Sequence, residues 1–313
     1  FGKPAQSQSI SSINNDIYNF NNVKGVQVAY PFTSKVNNEN YTFEIVPASF
    51  NTAGYIEEVN PNPLNSFNVI YKNDGKGFGS NNTGFFLYMK EGAIEYEDFN
   101  FDQPVQNRTV DIDTQNINNT DVWVQEIDSN GLVQSTWKNV PALSGQNIIY
   151  NSLALSQRNI FDVKTRLNDQ ISVQFSDGQF GNIPVGLYRI WYRSSKSRGE
   201  AIQSSDIQNK GIAFSYVNKS SQTFNLAMTF SLDYTITNSQ PRESTNAVRS
   251  NSAQAYYTQD RMITAEDYNV FPVTKVEGIQ KIKAINKTHA GHSRFIDIQD
   301  PTGTVANVNC IGE

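Results

Sequence analysis

Charge and sulfur are scarce in this chain, and each shortage removes a class of function. Of 313 residues only 18% are charged, and 25 Lys and Arg stand against 30 Asp and Glu, a net charge of −5. That balance offers no electrostatic footprint for nucleic acid or an anionic membrane. The densest basic run, Lys275, Lys281, Lys283 and Lys287, mixes with Glu277 and reads as a solvated strand face. One cysteine, Cys310, excludes an internal disulfide framework and points to assembly in a reducing compartment. A buried structural thiol is the simpler reading of it than a nucleophile. No apolar run approaches the ~20 residues that a membrane helix needs, and the opening residues do not read as a signal peptide. The start at Phe1 and the end at Glu313, just after strand-like sequence, suggest a piece of a longer protein.

The motifs of catalysis and cofactor binding are missing as well. The two histidines, His289 and His292, stand as His-x-x-His, but further ligands are lacking nearby and a loop glycine, Gly291, lies between them. A Ser-His-Asp triad would have to recruit one of them, without a Gly-x-Ser-x-Gly elbow, and nothing marks Cys310 as activated. Gly75, Gly77 and Gly79 imitate a dinucleotide loop, yet the third glycine follows too soon and strand-like Phe85 to Met89 comes next. A calcium loop starting at Asp111 would need glycine and glutamate where Asn116 and Val122 stand. Glu95, Glu97 and Asp98 have the chemistry of a glycan-cleaving pair, but spacing along a strand cannot set the separation such enzymes require. The chain reads as a non-enzyme with no catalytic residue, no cofactor and no metal site.

What is abundant is short apolar runs closed by Asn, Gly or Pro, with 38% hydrophobic and 12% aromatic residues. The expected fold is mainly β with a smaller α+β part, in several domains. Residues 1–22 read as an extended arm or linker, 23–101 as a β-rich domain, 102–238 as a second β-rich domain, and 239–313 as a helical connector with a small α+β unit. Asp121 to Val140 reads as a hairpin turned by Asn130-Gly131, with Trp123 and Trp137 as packing residues. Ile171 to Phe175 alternates, Asp177-Gly178 can turn the chain, and Leu187 to Arg193 returns it. Arg189, Trp191 and Arg193 then share a strand face that meets a partner or water. Phe224, Leu226, Met228, Phe230, Leu232, Tyr234 and Ile236 alternate so regularly that one strand of about 40 Å is expected.

Two short helices are expected in the connector. The first lies near 241–250, with Pro241 in its first turn and Ser239 as its cap. The second covers 264–271: Thr264 and Asp267 form a capping box, Ile263 and Tyr268 stand at staple positions, and Pro272 ends it.

Two stretches also resemble a known family. AQAYYTQDRMITAEDYNVFP, ending at Pro272, and QFSDGQFGNIPVGLYRIWYR, Gln174 to Arg193, resemble the signature blocks of baseplate J-like wedge proteins of contractile-tailed, T-even-type bacteriophages. Order and spacing agree over roughly 121–272, although Ser176 stands where the family often has glycine. The resemblance implies a structural subunit of the tail baseplate, assembled in the host cytoplasm and resident in the virion. It would pair with a second copy and with other wedge proteins, binding neither nucleic acid nor membrane directly. Phe175, Asp177, Gly178, Gly181, Pro184 and Gly186, with Asp260, Arg261, Thr264, Asp267 and Tyr268, are its fold-defining positions. The alternative is a receptor- or glycan-binding β module of a tail fibre or spike.

Overall fold

The computed structural model describes residues 14–20, 28–52, 55–62, 67–140, 143, 158–196, 198–218, 220–236, 244–258, 264, 267–269, 271–272 and 282–283. It is mainly β, as the composition and alternation predict. The chain divides into two units, one of residues 1–198 and 202–236 and the other of 199–201 and 237–313.

The first unit opens with β1 (Asn14–Phe20), β2 (Tyr30–Val36), β3 (Glu39–Ile45), β4 (Ala48–Phe50), β5 (Ile56–Glu58), β6 (Phe67–Asn73), β7 (Gly84–Phe86) and β8 (Met89–Glu91). They form two three-stranded sheets, β1-β6-β7 and β2-β3-β8, and a ribbon of β4 and β5. Asn37 and Asn38 turn β2 into β3 with both backbones at positive φ, which asparagine tolerates and a two-residue hairpin demands.

Seven strands follow: β9 (Ala93–Phe101), β10 (Thr109–Ile112), β11 (Ile117–Ile127), β12 (Val133–Asn139), β13 (Ile160–Thr165), β14 (Ile171–Phe175) and β15 (Gly186–Ser194). They make one sheet in the order β10-β14-β13-β12-β11-β15-β9, antiparallel except where β12 meets β13. The hairpin of β11 and β12 turns where Asn130-Gly131 predicts, with Gly131 at φ 78. β9 therefore belongs to this sheet, paired along its length with β15. The curved inner face buries Phe101, Ile112, Val124, Trp137, Phe161, Val173, Phe175, Tyr188 and Ile190. Trp137 lies in this core, while Trp123 is half-buried on the opposite face.

The hairpin β16 (Lys210–Val217) and β17 (Thr223–Phe230) then returns to the first sheets. Phe214 packs edge-on against Phe67 at 4.6 Å and against Phe20 at 5.5 Å, and Phe230 against Phe32 at 5.1 Å. The seven-stranded sheet is thus inserted between two parts of one β module.

The single long strand expected through Ile236 is not formed. β17 ends at Phe230, and the chain then changes neighbours: Leu232 N–H bonds to Ile207, and Ile236 bridges to Ile202. Leu232 and Ile236 still pack on a buried cluster with Val36 and Phe43. Across the break Leu232 and Ile236 keep to the buried side, while Tyr234 between them is exposed.

In the second unit, α1 spans Thr245–Thr258. It runs eight residues beyond 250, where the first helix is expected to end. The cap is Ser244, whose Oγ accepts the Ala247 N–H at 3.2 Å; Ser239 and Pro241 lie outside the described residues. The Thr264 capping box forms as expected: Asp267 N–H donates to Thr264 Oγ1 at 3.2 Å, and Thr264 N–H to Asp267 Oδ2 at 2.8 Å. The helical turn includes Phe271 and Pro272, one residue past the expected end, and the residues that follow lie outside the described ones. Among the described residues no helix is long and apolar enough to cross a membrane.

Candidate functional site

β15 alternates between its two faces, and the side opposite the aromatic core carries Leu187, Arg189, Trp191 and Arg193. The expectation that this face meets a partner or water fails along most of it, since Arg189, Trp191 and Arg193 are all buried and only Leu187 is exposed. Arg193 is only 1% exposed, because β3, β5 and β8 of the first module close over it. Its guanidinium donates Nη1 to Glu44 Oε2 at 2.6 Å, Nη2 to Glu58 Oε1 at 2.6 Å and Nε to Asp121 Oδ2 at 3.2 Å. A fork of five N–H donors suits Arg to this role, which a lysine could not fill. Lys90 completes the cluster, with Nζ at 2.9 Å from Glu58 Oε2 and 2.8 Å from Asp121 Oδ1.

The next positions along the face extend the junction. Trp191 Nε1 donates to Gln125 Oε1 at 2.8 Å, and Gln125 Nε2 donates to the Pro61 carbonyl at 2.6 Å, so a buried amide ties the sheet to the first module. Arg189 grips Asp98 with Nε and Nη2, both at 2.7 Å, and lies over the Tyr96 ring at 4.2 Å. Five segments distant in sequence thus meet along one strand face.

Electrostatics follow from burial. Desolvation pushes the Glu44 and Glu58 carboxyls above the ordinary carboxylate range, against the pull of Arg193. Burial would lower Lys90, but Glu58 and Asp121 outweigh it and hold the ammonium charged. The Glu58 and Asp121 oxygens are committed to cations, an arrangement that joins surfaces instead of activating water. Among the described residues no three His, Cys, Asp or Glu side chains are placed to hold a metal ion.

The turn from β14 to β15 contains the first set of motif residues. Phe175 is fully buried against Trp137 at 5.3 Å, Phe101 at 5.6 Å and Tyr188 at 6.0 Å. Asp177 Oδ1 accepts the Gln179 N–H at 2.9 Å and the Phe180 N–H at 3.1 Å. Its burial is slight, and the amide donors of Phe180 and Gln179 outweigh it, holding the carboxyl below its usual value. Gly178 and Gly186 adopt φ of 89 and 102, and Pro184 is buried between them. At Gly181 a Cβ would lie 2.6 Å from Ser176 Cβ and 2.7 Å from Ile160 Cγ1. Gly181→Ala is therefore expected to destabilise the protein by about 1–3 kcal/mol through overpacking, read from urea unfolding midpoints. A stability equal to wild type would mean that the turn relaxes freely.

Of the remaining motif residues, Thr264, Asp267 and Tyr268 lie in the capped turn of the second unit, while Asp260 and Arg261 lie outside the described residues. So do His289, His292 and Cys310. Glu95 and Glu97 share one face of β9, Glu97 accepting the Tyr192 hydroxyl at 3.1 Å, whereas Asp98 turns to the other face and to Arg189. The sequence reading missed Glu44, Glu58, Lys90, Gln125 and Asp121 as partners of β15. The signal was indirect: Arg189 and Arg193 alternate with Trp191 on a strand whose other face is wholly apolar or tyrosine.

The family model described as Domain of unknown function (DUF8360) matches residues 1–235, ending one residue before the first unit does at Ile236. The match covers all five segments of the charged junction and both strands of the Gln174 to Arg193 block. No curated protein and no solved structure matches the chain.

Proposed function

The chain belongs to the DUF8360 family, and for this member we propose the role of a structural scaffold, a subunit of a phage tail baseplate wedge without catalytic function. The observation that carries the reading is the Gln174 to Arg193 block. Its resemblance to the baseplate J-like signature falls on two strands, β14 and β15, that are not neighbours in the sheet; their connection is tightly packed at Gly181, and the block's last residue, Arg193, clamps two β modules. A subunit that transmits rearrangement needs modules that move as rigid bodies, and a buried charged junction provides that stiffness. The partners proposed are a second copy and the other wedge proteins, in the virion tail after assembly in the host cytoplasm. Neither nucleic acid nor membrane is a proposed ligand.

One observation favours a second reading, a glycan-binding module of a fibre or spike. On the β1-β6-β7 sheet, Phe85 is 67% exposed, with Tyr71 at 5.2 Å and Tyr18 at 6.2 Å, an aromatic surface on which a sugar ring can stack. The solution mass of the purified chain, alone and mixed with wedge proteins of the same phage, separates the two. A dimer that co-assembles supports the wedge. A trimer that ignores those proteins and retains host glycan overturns it.

A further inference from the structure

The buried junction holds one negative charge in excess: Glu44, Glu58 and Asp121 face only Arg193 and Lys90. An uncompensated charge out of water is costly, and the least disruptive relief is a proton on one carboxylate. The three candidates are not equivalent. Glu58 hydrogen-bonds Arg193 through Oε1 and places Oε2 2.9 Å from the Lys90 ammonium as an ion pair without hydrogen-bond geometry, and Asp121 hydrogen-bonds Arg193 through Oδ2 and Lys90 through Oδ1. Protonating either would sever a contact to a cation. Glu44 instead uses one oxygen, Oε2, for both of its contacts, the Arg193 guanidinium at 2.6 Å and the Ile94 N–H at 2.9 Å.

From this geometry we propose that the junction is a proton-linked clamp. It takes up one proton on Glu44 Oε1 under mild acid, neutralising the cluster while every bond to Arg193 and Lys90 stays in place. The proton comes from solvent and adds to a carboxylate; no other bond changes.

The other titratable groups facing the cluster do not compete for this role. Tyr88, just before β8, is pushed above its usual range by burial and stays neutral. Glu91 of β8 is also raised by burial, but it accepts the Lys196 N–H at 3.2 Å at the exposed rim. Lys196 itself lies 3.8 Å from Glu39.

The direction of the effect follows from linkage. Burial holds Glu44 above its unfolded value. Such a group contributes its full stability below the unfolded value, about 4.3 for Glu, and loses it as pH rises through the folded value. Asp177, held low, acts the other way only as pH falls below about 4. The clamp therefore tightens as pH falls from neutral toward the unfolded glutamate value of about 4.3.

The test is the thermal unfolding midpoint of the full chain across that range. Wild type should unfold at a higher temperature at the acid end. Glu44→Gln, an isostere of the protonated acid, should lose the share of that rise that Glu44 carries and climb less steeply toward acid than wild type, because Glu58, also raised by burial, keeps a part of it. Glu91→Gln, which removes another carboxyl raised by burial, should still keep the share of the rise that Glu44 carries. A Glu44→Gln variant that rises with acid as wild type does, or a wild type that does not rise, would overturn the proposal. Should Glu44→Gln fail to fold, carbon-13 titration of the Glu44 carboxyl in wild type decides. A midpoint above that of free glutamate supports the clamp, and one at or below it refutes it.

Discussion

Arg193→Met is expected to be the most damaging single substitution in the chain, costing about 3–5 kcal/mol of stability near neutral pH. Methionine fills much of the volume but leaves Glu44, Glu58 and Asp121 with only Lys90 for three buried carboxylates. Their mutual repulsion and lost solvation then fall on the junction between modules. Two further results belong to the same experiment. The variant should regain part of its loss in mild acid, because carboxylates left without a cation accept protons readily. Combining Arg193→Met with Glu44→Gln and Glu58→Gln should restore much of the stability, since a neutral cluster no longer carries unpaired charge. Chemical denaturation of the three proteins at two pH values measures all of this. An Arg193→Met protein as stable as wild type would show that the cluster contributes nothing to holding the modules.

Phe175→Ala should cost a similar amount, about 3–5 kcal/mol, for a different reason. Phe175 is fully buried among Phe101, Trp137 and Tyr188, each meeting it near a right angle, so its removal leaves a cavity that three large rings cannot easily fill. The loss should be independent of pH and insensitive to salt. That distinguishes it from the Arg193 variant when the two are unfolded side by side.

The two substitutions also mark how far the sequence could be read. Phe175 was legible: a strict alternation from Ile171 into an Asp-Gly turn places it on an apolar face, and that face is the core. The same alternation set Arg189, Trp191 and Arg193 together on the opposite face. What covers that face depends on chain 149 and 135 residues away, at Glu44 and Glu58, and no local pattern carries such information. The segment after Phe230 shows a related limit. The apolar alternation runs on through Ile236, and Leu232 and Ile236 are packed, but the backbone exchanges one partner for another and Tyr234 is exposed, neither of which the alternation registers. In the second unit, Pro241 and Ser239 suggest a helix start near 241, while α1 begins at Thr245. Ser244 makes the cap because its hydroxyl reaches the Ala247 amide. The Thr264 and Asp267 box was legible because both halves of it lie within four residues.

The distances along the chain between Arg193 and its anions bear on how the protein is made. Glu44, Glu58 and Asp121 precede it by 149, 135 and 72 residues, so on a ribosome all three emerge long before their counter-ion. Until β15 leaves the exit tunnel they have only Lys90 and water, and the first module cannot seal against a sheet that does not yet exist. β16 and β17, which complete that module's own packing, come later still. Folding is thus biased toward a late, concerted closure over long loops, a slow step by contact-order reasoning. A nascent chain arrested before residue 186 should remain open to proteolysis in its first hundred residues, and release of the complete chain should close it.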